Sequence, residues 1–481
     1  MSALASPLEP GRAEVQAWLE AVGRAVLDHV ERLPAMPSAG TIDGTSLADV
    51  ERMSLPIPET PQRDFEGLLA HVLEAAELSM NTAGPGYLAY VPGGGLLTAG
   101  VADLIANWLN RYTGLTAASP ALCRLEADVL SWLAAEFGYD DQARGILTTG
   151  GSLATFSAVV TARHAKLDGS GDYRRARVYT SAQAHHSVAK SVALAGIPAA
   201  NVIPIPTDAR LRLRPDALTE RVRADQAAGL QPFLLVTAAG TTNTGAVDPL
   251  RPLSDVCETH GLWHHVDGAY GGAFALCDSG RARLEGIDRA DSVTFDPHKG
   301  MFLPYGTGCL LVKDGAALRA AHQADAPYLQ DFGQGDGLPP SPTDYGPELS
   351  RDYRGLRVWL ALQLHGAAAF RAALEEKLAL ARTLADAIRQ MPGLELADDP
   401  QLSVVPFRPI RRPGEDLATW SARALALCKA INARGRVYLS TTRLPHPEGE
   451  VVTVRACVLS FRTHADRIAL AIEDIGASTG C

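Results

Sequence analysis

The chain has 481 residues, with 44 Lys+Arg against 54 Asp+Glu and a formal net charge of −10. Hydrophobic residues make up 47% and charged residues 20%, a balance that excludes a disordered chain. The acidic excess excludes a protein whose main task is to coat nucleic acid or an anionic membrane, because both demand surplus Lys and Arg.

A chain this long is expected to divide into two or more domains. No apolar run reaches the roughly 18 residues of a spanning helix, so no membrane partner is expected. The opening stretch lacks a basic region followed by an apolar block, and no signal peptide is expected. The seven cysteines (Cys123, Cys257, Cys277, Cys309, Cys428, Cys457 and Cys481) are scattered and form no Cys-x-x-Cys pair. Neither a disulfide framework nor a cysteine metal site follows, and a reducing cytoplasm is the expected compartment.

In chain order, residues 1–30 read as helix from the three- and four-residue spacing of Val15, Trp18, Leu19, Val22, Val26 and Leu27. Residues 31–62, rich in Pro, Ser and Thr, read as an extended segment, and helix resumes around 64–80. Such an arm either packs on another subunit or caps its own domain. From about 145 to 315, short β-branched runs alternate with amphipathic stretches. Strands are predicted at Arg177–Ser181, Pro232–Ala238, Trp263–Asp267, Ser292–Asp296 and Gly308–Val312. Helices are predicted at Ser152–Ala165, Ser187–Leu194 and Pro215–Ala227, the last with its proline in the first turn. This alternation predicts an α/β fold with a mainly parallel sheet. Asp325–Pro347 reads as a long mobile loop and 351–390 as helix. Leu402–Phe407, Arg436–Tyr438 and Val451–Phe461 read as strands of a smaller α+β unit. The division is thus an N-terminal helical and extended arm at 1–85, a large α/β domain at 86–375 and a small C-terminal α+β domain at 376–481.

Ligands of open α/β sheets bind beyond the carboxyl ends of the strands, and three such ends carry chemistry. Thr149-Gly-Gly-Ser152 opens a helix; glycines there let the backbone approach an anion, and the free N–H groups of a helix start suit a phosphate. Asp267 ends an apolar strand, where a carboxylate needs a partner such as the protonated ring nitrogen of a cofactor. Lys299 directly follows another apolar strand; desolvation makes such an amine nucleophilic towards a carbonyl. A glycine loop, a strand-end acid and a strand-end lysine, in that order, together suit pyridoxal 5'-phosphate (PLP). A metal site on His264 and His265 is disfavoured, since neighbours on a strand point to opposite faces.

The chain resembles the group II PLP-dependent amino acid decarboxylases, the aromatic-L-amino-acid decarboxylases in particular. The matching stretches include Gly86-Tyr-Leu-Ala-Tyr90, Ala117-Ala-Ser-Pro120, Thr149-Gly-Gly-Ser152, Gln183-Ala-His185, Gly240-Thr-Thr242, His265-Val-Asp-Gly-Ala-Tyr270, Asp296-Pro-His-Lys299 and Arg351-Asp-Tyr-Arg354. The resemblance implies the fold-type I PLP-dependent transferase fold and a homodimer with active sites shared between subunits, residues 85–120 serving the neighbour's site.

It also implies roles. Lys299 bonds the cofactor aldehyde, and Asp267 pairs with the pyridine nitrogen. Ala269 and His185 lie on the two faces of the ring. Gly151 and Ser152 hold the phosphate with His298 nearby, and Thr242, or its neighbour Thr241, contacts the cofactor. A loop tyrosine that returns a proton after carbon dioxide leaves is placed at Tyr328, with Tyr345 as the competing position and His185 as the other proton source. Tyr87 and Tyr90 are placed against the substrate, core packing being the competing reading of each. Gly93-Gly-Gly95, Gly114, Leu115 and Gly300 depart from the aromatic branch. The implied reaction converts an L-amino acid, aromatic by overall motif order, to its amine and CO2. The alternatives are a non-aromatic substrate or an oxidative, aldehyde-forming decarboxylation.

Overall fold

A computed structural model describes residues 8–39, 44–61, 63–167, 169, 171, 173–323 and 339–479. Its larger sheet has seven strands: β1 (Arg144–Thr148), β2 (Ala176–Ser181), β3 (Val202–Ile205), β4 (Gln231–Ala238), β5 (Trp263–Gly268), β6 (Ser292–Phe295) and β7 (Gly308–Val312), in the order β1-β7-β6-β5-β4-β2-β3. Neighbours from β3 through β6 pair in parallel, whereas β7 runs antiparallel to both β6 and β1. The strands are short, β-branched and buried on both faces, as a sheet covered by helices on both sides requires. Val266, Val293 and Phe295 belong to one core; Val178, Leu234, Val236 and Leu310 belong to another.

The predicted α/β alternation is present. Gly308–Val312, Ser187–Leu194 and Pro215–Ala227 have the predicted limits, and the other predicted strands of this sheet differ by a residue at their ends. β1 and β3 were not predicted: both are short, β1 opens on Arg-Gly, and β3 contains Pro204, which argues against a strand.

A second sheet holds β8 (Leu394–Leu396), β9 (Val404–Pro409), β10 (Ser440–His446) and β11 (Gly449–Cys457) in the antiparallel order β10-β11-β9-β8. The strand expected at Arg436–Tyr438 lies at Ser440–His446, and Tyr438 makes only a single bridge to Tyr87. Leu88 N–H donates to the Tyr438 carbonyl (2.9 Å) and Cys457 N–H to the Leu88 carbonyl (2.8 Å). Leu88 is thereby buried in the core of the second sheet.

One helix, Gly355–Arg389, joins the two cores: Phe370 and Leu374 pack in the first, Leu384 and Ile388 in the second. It is not continuous as predicted, because Gly366 has φ +72° and breaks it, a conformation that glycine adopts without steric cost. In the arm, helices Arg12–Arg32 and Phe65–Glu77 stack Trp18 on Phe65 (5.4 Å between centroids). The segment expected to be extended contains a further helix, Leu47–Arg52, which Ser46 caps by accepting from Asp49 N–H.

The two histidines of β5 serve different neighbours. His264 bonds Thr237 Oγ1 (2.9 Å) and Ser254 Oγ (3.0 Å); His265 bonds Ser292 Oγ (2.8 Å) and Thr294 Oγ1 (3.2 Å). Among the described residues no group of three or more His, Cys, Asp or Glu is placed to hold a metal.

Burial pulls His264 down to about 3 and His265 to about 4, against about 6.5 for an unfolded histidine. Their stabilisation is therefore full above about pH 6.5 and is lost as the pH falls towards their folded values, because the unfolded chain binds protons that the fold refuses. Asp248, raised by burial to about 6, acts in the opposite sense between about pH 6 and 4. Denaturant unfolding at several pH values should show wild type losing roughly 1.4 kcal/mol more per pH unit in that window than His264→Gln. Parallel curves would contradict this account.

Candidate active site

The site forms along the edge where the parallel strands end. After β1, Thr148 Oγ1 donates to the Gly150 carbonyl (3.0 Å), and helix Gly151–Lys166 begins with its first N–H groups at this edge. A Cβ on Gly151 would lie 2.9 Å from Asp296 Oδ2 and 3.2 Å from Ala269 Cβ, so only glycine lets the helix start come this close. After β4, Thr241 is tied into its turn: its Oγ1 bonds Thr244 Oγ1 (3.2 Å) and accepts from Ala246 N–H (3.2 Å). Thr242 is exposed at the same turn. After β5, Asp267 Oδ1 accepts from Ala269 N–H (3.1 Å).

After β6, Pro297 opens a four-residue helix, Pro297–Gly300, that turns Lys299 back over Asp296. Lys299 Nζ lies 2.9 Å from Asp296 Oδ2. Asp296 is 2% exposed, and its Oδ1 has no hydrogen-bond partner. No role was expected for Asp296. The signal was present, since an acid three residues before a lysine on one helical turn places the two side chains together.

His185 follows β2. Its Nδ1 receives the Ser187 N–H (3.3 Å) and lies 2.7 Å from Ser187 Oγ. An amide can only donate, so Nδ1 is the accepting nitrogen and Nε2 carries the proton of the neutral ring. Burial lowers the His185 pKa, opposed by Asp267 and assisted by His186 and Lys299. The His186 ring lies 4.1 Å from that of His185 and is exposed. In His298, Nδ1 donates to the Thr307 carbonyl (2.7 Å), and Nε2 lies 3.8 Å from Asp296 Oδ2. Its pKa is also lowered, first by burial.

Lys299, Asp267, Ala269, His185, Gly151, Ser152, Thr242 and His298 all line one cavity of about 330 Å³. Tyr87 and Tyr90 do not line it. Tyr87 is buried, stacked on Tyr438 (5.9 Å) with its hydroxyl 3.5 Å from Met80 Sδ, so within its own chain it is a packing residue. Tyr90 is 54% exposed, and its N–H donates to Ser440 Oγ (3.0 Å). Tyr345 is buried in the core beside β1, which removes it from the cavity. Tyr328 and most of the predicted loop lie outside the described residues.

The glycine departures have steric causes in this chain. A Cβ on Gly300 would lie 2.0 Å from Ala273 Cβ, one on Gly94 2.4 Å from Phe302 Cα, and one on Gly114 2.7 Å from the Leu349 carbonyl.

The residues present fit PLP. An amine stands ready for an aldehyde, a strand-end carboxylate for a ring nitrogen, and a helix start whose approach a Cβ would block for a phosphate. The buried, unpartnered Asp296 Oδ1 marks a polar wall awaiting a further polar group.

The pyridoxal-dependent decarboxylase conserved domain matches residues 59–410. An aromatic-L-amino-acid decarboxylase of Bacillus atrophaeus is 34% identical over 447 residues, covering 92% of this chain and 91% of the relative. An L-2,4-diaminobutyrate decarboxylase of Acinetobacter baumannii is 27% identical over 432 residues, covering 85% and 83%. The crystal structure of Oryza sativa TDC with PLP and tryptamine superposes with a TM-score of 0.88 at 26% identity, covering 99% of both chains. The architecture is that of the fold-type I PLP enzymes, and the cofactor is PLP. The chain belongs to the pyridoxal-dependent decarboxylase family and is a PLP-dependent amino acid decarboxylase.

Elsewhere on a helix, alanine in place of glycine is worth about 0.5–1 kcal/mol of stability. Gly151→Ala should instead weaken PLP retention by about tenfold or more, since the new methyl meets a carboxylate that Lys299 holds in place. Reconstitution of the apoenzyme with titrated PLP measures this, and wild-type affinity would contradict the close approach.

Proposed function

We propose that this enzyme decarboxylates an aromatic L-amino acid to the corresponding amine and CO2, in the cytoplasm and as a homodimer with shared active sites. The observation that carries the reading is the single cavity that gathers Lys299, Asp267 and His185 with the Gly151 helix start. The aromatic substrate is supported by the 34% identity to an aromatic-L-amino-acid decarboxylase over nearly all of both chains. The dimer is supported by the arm, where Leu19, Leu27, Val72 and Leu73 are exposed on the single chain. Tyr90, which does not line its own chain's cavity, is assigned to the neighbour's substrate pocket on this reading, while Tyr87 packs on Tyr438.

Lys299 holds the cofactor at its aldehyde carbon and Asp267 faces the ring nitrogen. His185 and Ala269 cover the two faces, Gly151, Ser152 and His298 take the phosphate, and Thr242 touches the cofactor from the β4 side. When bound, PLP supplies an electron sink for the pair left on the α-carbon as the carboxylate departs. The protein's part is orientation and proton control. The cavity residues would orient the substrate so that the carboxylate, rather than another group on the α-carbon, is the one that departs. His185 presents its Nε2–H to the cavity, and Tyr328 is assigned as the partner that returns a proton to the α-carbon.

The test is incubation of the purified protein with a panel of amino acids, with products identified by mass. Aromatic amines are expected, formed in step with CO2 and without hydrogen peroxide. Aldehyde with peroxide would mark the oxidative reaction instead, and turnover confined to acidic, basic or small amino acids would overturn the aromatic reading. Lys299→Ala should lose both the visible absorption of the bound cofactor and turnover; full activity would sink the site assignment.

A further inference from the structure

Behind His298 lies a chain of contacts that reaches the long helix. Arg357 is half-buried and partnered through every nitrogen. Its Nη1 donates to the Gly306 carbonyl (3.0 Å) and to Thr307 Oγ1 (3.0 Å), its Nη2 to Asp352 Oδ2 (3.3 Å), and its Nε to Asp103. The Thr307 carbonyl in turn accepts from both His298 Nδ1 (2.7 Å) and the His298 N–H (3.3 Å). The next residue, Gly308, pairs with Thr148, and a Cβ on it would lie 2.4 Å from the Gly150 carbonyl carbon. The Gly306–Gly308 turn therefore touches both proposed halves of the phosphate site, His298 and the Gly150–Gly151 helix start.

We propose that Arg357 is a positioning residue for the cofactor phosphate: by clamping Gly306 and Thr307 it fixes the acceptor of His298 Nδ1–H, so that Nε2 is the one ring nitrogen presented to the cavity. This rests on the reading of His298 as a phosphate contact given above. A carbonyl only accepts, so with Thr307 in place the neutral ring carries its proton on Nδ1 and leaves Nε2 bare. The second proton of a phosphate monoester, with a pKa of about 6, is then the one shared between phosphate oxygen and Nε2. No further donor or acceptor is required for the balance. Without the clamp the turn is free to shift, the ring is free to rotate or exchange tautomers, and the shared proton loses its fixed geometry.

The test compares Arg357→Met, which keeps the aliphatic stem but removes every donor, with His298→Ala and the double variant, all reconstituted with PLP. Each single substitution should weaken PLP binding by about tenfold. The double variant should fall within about twofold of the weaker single, because both remove the same contact. The ³¹P resonance of bound PLP should move in the same direction in all three. Arg357→Lys, which keeps a charge beside Asp103 without the two-pronged grip, carries the test if Arg357→Met does not fold, and should move the resonance the same way. Fully multiplicative losses, or an unmoved ³¹P resonance in both Arg357 variants, overturn the proposal while leaving His298 as a phosphate contact. Wild-type affinity in His298→Ala overturns the phosphate contact and the proposal with it.

Discussion

The Lys299 ammonium lies 2.9 Å from a carboxylate that is 2% exposed, at the point where β6 ends. A buried charge is costly unless paired, and removing one partner leaves the other uncompensated. The neighbouring packing follows from that pair. Pro297 starts a helical turn immediately after Asp296, and the turn returns Lys299 over the acid. That turn seats against Ala273 only because residue 300 has no side chain, and the helix that starts at Gly151 approaches Asp296 only because residue 151 has none. At these two positions glycine serves backbone proximity around one ion pair.

The antiparallel strand β7 has a consequence for chemistry. Parallel strands bring their carboxyl ends to the site edge, and ligands gather there. Because β7 runs the other way, it brings its amino end, Thr307-Gly308, to that same edge opposite Thr148. The backbone carbonyl of Thr307 is therefore available to His298, which sits beside Lys299 on the short helix after β6. The reversal supplies an acceptor to a histidine whose pKa burial lowers.

Five strands of the larger sheet and the strand-end residues that line the cavity were legible because both are written in local pattern: apolar runs, then a polar residue at the strand end. Asp267, Lys299 and the Thr149–Ser152 loop could be read in that way, and the structure brings them to one cavity. Residues whose role depends on distant neighbours were not legible. Tyr87 was open to two readings, pocket aromatic or core packing, and within its own chain its ring stacks on Tyr438, which lies more than three hundred positions away. Tyr345 sits in an Asp-Tyr pair that matched a motif, but packing against β1 buries it. Gly300 read as a change in the pocket, whereas it is an accommodation to Ala273. The break at Gly366 was hidden because apolar periodicity continues through it, and the glycine alone does not disclose its φ.

The site's outer polar contacts come from the second sheet. Asn243, in the turn after β4, donates to Gln183 Oε1 (3.0 Å) and accepts from Thr442 Oγ1 (2.8 Å), while its carbonyl accepts from Arg455 Nε (3.2 Å). Tyr270, on the cavity wall, shares a 2.7 Å bond with Ser403 Oγ and accepts the Ser403 N–H (2.9 Å). Thr442 and Arg455 lie beyond the stretch 59–410 that matches the family domain, whereas Lys299, Asp267 and His185 lie within it. Cofactor-holding residues must satisfy the same molecule in every relative, so they leave little freedom to choose among substrates. On the proposed reading, that choice falls to groups that touch the cavity's surroundings without holding the cofactor. The Gln183–Asn243–Thr442 link ties those groups to the cofactor sheet through buried or half-buried hydrogen bonds. That link joins Asn243 and Gln183 to the second sheet, whereas the Lys299–Asp296 pair is set by the short helix after β6.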